Sequence, residues 1–292
     1  MMKLIDGYTY MHEHMTIDLS GVKKDEDCHL DCYEETVKEL KKLYHYGVRN
    51  IVEVSNIGMG RDIDYIQRIE KETGIQILKS TGWYKEPFIP EEYLNKTTEE
   101  LASIMIDEIE NGIEGTNVKA MMIGEIGTSK NEWKDSERRL FDAAIIAHKK
   151  TNRPIYTHTT LSTLALEQAK YLVSHGVDPH RIVIGHVDLC EDINYIKEVL
   201  KTGVTIGFDT IGKNNYLPDE KRIAHLLELE KTGYTSQVVL SEDLTRKSHL
   251  AFKGGIGYAY LFESFLPAAR KAAISESFIT DMLVNNPKRI ME

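Results

Sequence analysis

The chain has 292 residues, 41% of them hydrophobic and 28% charged, with a formal net charge of −10. That is enough apolar material for a large core, and an α/β barrel commonly needs about 250 residues. The acidic balance, without a long lysine or arginine run, argues against gripping a nucleic-acid backbone, no stretch nears the roughly 18 apolar residues of a membrane helix, and residues 1–6 lack the apolar core of a signal peptide.

A cytoplasmic protein acting on a small molecule is expected, with no nucleic acid and no membrane as partner. Cys28, Cys32 and Cys190 make an odd count with no Cys-X-X-Cys pair, so neither a disulfide framework nor a thiolate zinc site is expected.

In chain order, the first predicted strand, Tyr8 to Met15, carries His12 and His14. Residues two apart on a strand share a face, so both imidazoles can meet one metal ion. Asn50 to Ser55 and Gln76 to Thr81 are the second and third strands. The fourth, Ala120 to Ile126, carries Glu125 behind the apolar run Met121-Met-Ile-Gly124, where a buried carboxylate needs a partner. Ile155 to His158, Ile182 to His186, Val204 to Asp209 and Val238 to Ser241 complete eight, with Asp243 just beyond the last. Helical periodicity marks Tyr33 to Tyr46, Thr98 to Gly112, Ser136 to Thr151 and Leu164 to His175, several closed by a glycine.

Repeated strand, helix, glycine, strand units imply parallel strands with right-handed crossovers. Eight of them predict a (β/α)8 TIM barrel of the α/β class, one domain over residues 1–292. An open doubly wound sheet is the alternative, but no Gly-X-Gly-X-X-Gly turn follows the first strand.

Active sites on this barrel sit at the C-terminal ends of the strands. His12, His14, Glu125, His158, His186 and Asp243 all fall there. Taken singly, His158 and His186 read as hydrogen-bonded structural histidines and Asp243 as a helix cap. Together, four imidazoles and two carboxylates in an apolar mouth need compensation that a pair of cations supplies. Of the seven remaining histidines, His29, His45, His148, His175, His180 and His225 fall in helices or turns, and His249 lies near the glycine-rich run described below.

This order of ligands along eight units resembles the phosphotriesterase family of the amidohydrolase superfamily. So do the opening Gly7-Tyr-Thr-Tyr-Met-His-Glu-His14, Val52-Glu-Val-Ser55 leading to Gly60-Arg-Asp62, Thr81-Gly-Trp-Tyr84, Gly185-His-Val-Asp188 and the closing Asn286-Pro-Lys-Arg289. Where many members carry a carbamylated lysine, this chain has Glu125, as does the branch called phosphotriesterase homology proteins, which it resembles most.

The resemblance implies a binuclear centre. His12, His14 and Asp243 would hold the more buried ion, His158 and His186 the more exposed one, and Glu125 would bridge. Zinc suits these ligands, with manganese, cobalt or iron as alternatives. A metal-bridging hydroxide would attack, and Asp243 would take its proton.

Some relatives hydrolyse phosphorylated sugar lactones, so a small lactone or carboxyl ester, with or without a phosphate, is the expected substrate. Lys213 and Arg246 are the expected substrate contacts, with Lys247, His249 and the run Lys253-Gly-Gly-Ile-Gly257 nearby; solvated charges or ion pairs with Asp209 or Glu242 are the alternative. Arg61 and Asp62 read as local ion-pairing residues, and Tyr84 as either a packing residue or a phenol aimed at the site. Three other functions remain open at this point: a phosphotriester or phosphodiester hydrolase, a TatD-like metal-dependent deoxyribonuclease sharing the ligand order, and a metal-binding scaffold with little turnover. An apolar edge on a barrel helix would allow a homodimer.

Overall fold

The computed structural model describes residues 3–292. Eight parallel strands follow one another around a single sheet, each hydrogen-bonded to the next: β1 Tyr8–Glu13, β2 Val48–Glu53, β3 Gln76–Thr81, β4 Met122–Thr128, β5 Ile155–Thr159, β6 Ile182–Ile184, β7 Thr205–Phe208 and β8 Val238–Leu240. The consecutive order rules out a doubly wound sheet, whose strand order reverses part-way. At the seam, the His12 N–H donates to Ser241 Oγ at 2.8 Å, bringing the start of the sheet against its end. The fold is the expected (β/α)8 barrel, nearly closed.

The helices form for local reasons. In the helix Ile63–Thr73, the Asp62 carboxylate accepts from the Tyr65 N–H (2.8 Å) and Gly74 closes the C-terminus with φ +73°. Ile63, Ile66 and Ile69 line one stripe of it and are buried against the barrel. The helix Thr98–Glu110 opens with a reciprocal capping box between Thr97 and Glu100. Asp135–Thr151 and Ala165–Ser174 match the other expected helices to within a residue or two.

Two apolar layers result. The larger lies between barrel and helices. The smaller fills the barrel's lower interior with Met11, Val52, Leu78, Tyr156, Val183 and Val239, closed from below by Ile290 and Met291 of the C-terminal helix. Above that plug the interior turns polar, which places the functional end at the strands' C-termini.

Several strands stop earlier than expected. Ser55, His186, Asp209 and Ser241 all lie just past a strand, where side chains are released from the ladder. β1 ends at Glu13, so His14 follows the strand, and a register shift between Tyr10 and Glu13 lets both Met11 and His12 face inward. Gly124, at φ +141°, precedes Glu125 on β4; a Cβ there would sit 2.2 Å from the Tyr156 carbonyl oxygen, so only glycine lets β4 lie this close to β5.

Candidate metal centre

The six expected residues converge. His12, His14 and Glu125 place ligand atoms within 4.8 Å of one another, as do His12, His186 and Asp243, and Glu125, His158 and His186. All six are buried, from 0% exposed for His12 to 9% for His158.

Around His12 and His14 the spacing separates metal ligation from hydrogen bonding, whereas His158 Nδ1 lies at hydrogen-bond distance from Glu125 Oε2 (3.0 Å) and His186 Nε2 (2.8 Å). Asp243 Oδ1 lies 3.3 Å from His14 Nε2 and 3.5 Å from His12 Nε2. Glu125 Oε1 is 3.6 Å from His14 Nε2, while Oε2 is 3.7 Å from His12 Nε2 and 3.6 Å from His186 Nε2. These are long for hydrogen bonds. Two ligand atoms held at 2.0–2.2 Å from a tetrahedral cation stand about 3.3–3.5 Å apart, which is close to what is seen. Both ring nitrogens of fully buried His12 have no hydrogen-bond partner among the described residues, a cost that a cation relieves. The donor set therefore fits divalent metal, with Glu125 Oε1 toward His14 and Oε2 toward His12, His158 and His186.

The surrounding residues fix which nitrogen is free. Ser55 Oγ gives its proton to the Thr16 carbonyl at 2.6 Å, so its 2.8 Å contact with His14 is a donation from Nδ1–H, leaving the Nε2 lone pair turned inward. His186 Nδ1 lies 2.8 Å from the Asp209 carboxylate, and Asp209 also accepts from Tyr156 Oη at 2.7 Å. That again leaves Nε2 inward. Burial, with His186 alongside, holds His158 down to about 4, keeping its ring neutral as a ligand must be. Burial pushes Glu125 and Asp243 upward, but the histidines around Glu125, and Lys213 followed by the histidines at Asp243, outweigh it and hold both carboxylates well below their usual range.

Asp209 entered the sequence reading only as an ion-pair partner for Lys213 or Arg246; the fold gives it to His186 instead. Lys213 pairs with Asp243. Arg246 pairs with Asp25 at 2.7 Å and Asp27 at 3.6 Å, and Lys247 with Asp31 at 2.8 Å. Arg61 forks onto Glu108 at 2.7 and 2.9 Å, as local ion pairing predicts, whereas Asp62 caps a helix. Tyr84 Oη reaches His158 Nε2 at 3.1 Å. No helix starts at Asp243, so it is not a cap; it sits in a left-handed loop position, φ +53°.

Sequence reasoning missed Glu13, between the two histidines. Its side chain accepts from the backbone N–H groups of Glu242 (2.6 Å), Asp243 (3.1 Å) and Leu244 (3.1 Å). Glu13 thus moors the loop that carries Asp243 to the strand that carries His12. Burial raises its carboxyl to about 7 against the pull of these N–H groups. A polar residue in the middle of a buried His-Glu-His run was the available signal.

With the centre and its supporting contacts placed, the comparison with known sequences decides the lineage. The profile of the phosphotriesterase family matches residues 3–291.

This chain belongs to the phosphotriesterase family.

Within the phosphotriesterase family, it is 45% identical to the phosphotriesterase homology protein of Escherichia coli over 286 residues, 98% of each chain. The crystal structure of that protein, complexed with phosphate in its active site, superposes with a TM-score of 0.96 over 98% of this chain and 99% of the other. A lactonase from Listeria monocytogenes superposes at 0.92, with 31% identity over 98% of this chain and 94% of its own. A phospho-furanose lactonase of Mycoplasmopsis synoviae is 31% identical over 98% of this chain and 87% of its length.

Proposed function

We propose that this chain is a metal-dependent hydrolase of a small lactone or carboxyl ester, in particular a phosphorylated sugar lactone. One observation carries the reading: six buried side chains gather at ligand spacing, and four of them, Glu125, His158, His186 and Asp243, line a cavity of about 310 Å³ that Lys213 and Arg246 also line. The lactonases among the relatives support the lactone over a phosphotriester or phosphodiester, and the −10 charge supports a small molecule over the DNA that a TatD-like nuclease would grip. We take residues 1–292 as one domain acting in the cytoplasm. No described helix is long and apolar enough to cross a membrane.

His12, His14 and Asp243 would hold one ion, His158 and His186 the other, with Glu125 between them. Nitrogen and carboxylate ligands together favour zinc, with manganese, cobalt or iron able to substitute. Divalent ions held there acidify water and polarise the ester oxygen. The chain's own residues do the rest. Asp243, held ionised by Lys213, takes the proton of the attacking water and returns it to the ring oxygen as the acyl C–O bond breaks. Tyr84, beside His158, is placed to donate to a substrate oxygen. Lys213 and Arg246 are the proposed contacts to the rest of the substrate.

Screening matched lactones with and without a terminal phosphate, with metal analysis of the same samples, tests this. Asp243→Asn should lower kcat by about 10²–10⁴-fold, and Glu125→Gln should lower metal content. If no member of the panel is hydrolysed faster by the metal-loaded wild type than by Asp243→Asn, the hydrolytic role is overturned and a metal-binding scaffold is left.

A further inference from the structure

The charged wall of the cavity is uneven. Arg246 and Lys213 are both occupied by carboxylates. Lys85, just past β3 on the opposite wall, is not: its only polar contact is with the Glu86 carbonyl at 3.4 Å, and among the described residues no carboxylate lies within ion-pair distance. Its stem is half-buried, with the ammonium 5.3 Å from the Tyr84 ring and 5.5 Å from the Phe88 ring. Lys23, which also lines the cavity, has no carboxylate partner among the described residues either.

We propose that Lys85, assisted by Lys23, forms an oxyanion subsite that takes the terminal phosphate monoester of the substrate while its ester end lies over the metal ligands. Lys85 is half-buried and Lys23 exposed at the edge of the same cavity, and a dianion held between two like charges removes their mutual repulsion. Burial lowers Lys85 from its ordinary value; the charges of Glu137 and Glu125 oppose this, and those of Lys23 and Lys134 add to it. The two aromatic rings under Lys85 limit where its ammonium can go, so the subsite is partly formed in advance. The cations expected from the sequence for this task, Lys213 and Arg246 with Lys247 beside them, are by contrast already paired: Lys213 with Asp243, Arg246 with Asp25 and Asp27, and Lys247 with Asp31.

The inference rests on the ester-hydrolase reading for the reacting end of the substrate, but its binding test does not. Calorimetric titration of the metal-loaded enzyme with ribose 5-phosphate and with ribose should show at least tenfold tighter binding of the phosphate. Lys85→Met should weaken ribose 5-phosphate about tenfold to a hundredfold, the range of a charge-assisted hydrogen bond, and Lys85→Arg should restore most of it. Equal affinity of wild type and Lys85→Met for ribose 5-phosphate, or an equal loss for ribose, would overturn the subsite. In turnover, the ratio of kcat/KM for phosphorylated over unphosphorylated lactone should fall about tenfold in Lys85→Met, through KM. If every lactone is inert while the binding result holds, the hydrolase reading fails and the subsite stands; if lactones turn over without preference for phosphate, the subsite alone fails.

Discussion

Two of the inward-facing histidines depend on a neighbour that turns the free lone pair toward the centre. Ser55 does this for His14 and Asp209 for His186. Removing the charge from Asp209 weakens the hold on Nδ1–H and lowers the basicity of Nε2. Asp209→Asn is therefore expected to lower metal affinity about 10–100-fold with the six ligands unchanged, read by competition with a chromophoric chelator; equal affinity would show that Asp209 is only structural. None of this could be read from the sequence, because Ser55 is 41 residues from His14 and Asp209 is 23 from His186. Lys85 was hidden for a different reason. An unpaired lysine becomes visible only when the partners of every other cation are known.

At the level of elements, the barrel's seam and its chemistry share one residue. β1 and β8 meet at the functional end through Glu13, whose two oxygens gather three successive N–H groups of the loop after β8. Glutamine offers one acceptor and sets an NH2 group against a backbone donor. Glu13→Gln is thus expected to cost about 2–4 kcal/mol of unfolding free energy, measured by urea denaturation, and to lower metal content by displacing Asp243. Wild-type stability together with full metal content would show that the mooring is dispensable. A second buried tie joins the loops after β6 and β7. Arg222, fully buried, reaches Asp188 at 2.7 Å, Thr210 at 2.8 Å and Asp219 at 3.0 Å, holding together the segments that carry His186 and Lys213.

For the whole molecule, stability and pH are linked through groups the fold withdraws from water. Burial, followed by the charge of Lys213, lowers His249 to about 4, whereas an unfolded histidine takes its proton near 6.5. Between those values the unfolded chain binds more protons than the folded one. The contribution of His249 is present above about pH 6.5 and lost as pH falls toward 4, about 2 kcal/mol after allowing for partial exposure. His249→Gln should lack this loss, so its unfolding free energy in the metal-free state should fall less than wild type's between pH 7 and pH 4; parallel curves would show that His249 is not withdrawn from solvent.

The fold, and the six candidate ligands that it brings together, were legible because both are written in local pattern. Alternating strand and helix periods with closing glycines specify β/α units, and eight units leave little choice but a barrel. His12, His14, Glu125, His158, His186 and Asp243 stood out because ionisable residues at the ends of apolar strands are costly without a partner. The sequence alone determined the order of the elements and the kinds of group brought to the mouth. Only the tertiary structure decided which charge meets which: that Asp209 serves His186, that Glu13 anchors Asp243, and that Arg246 is neutralised while Lys85 stays free. Side-chain pairing across a barrel depends on loop paths a few ångströms long between residues far apart in the chain, and periodicity carries no record of those paths.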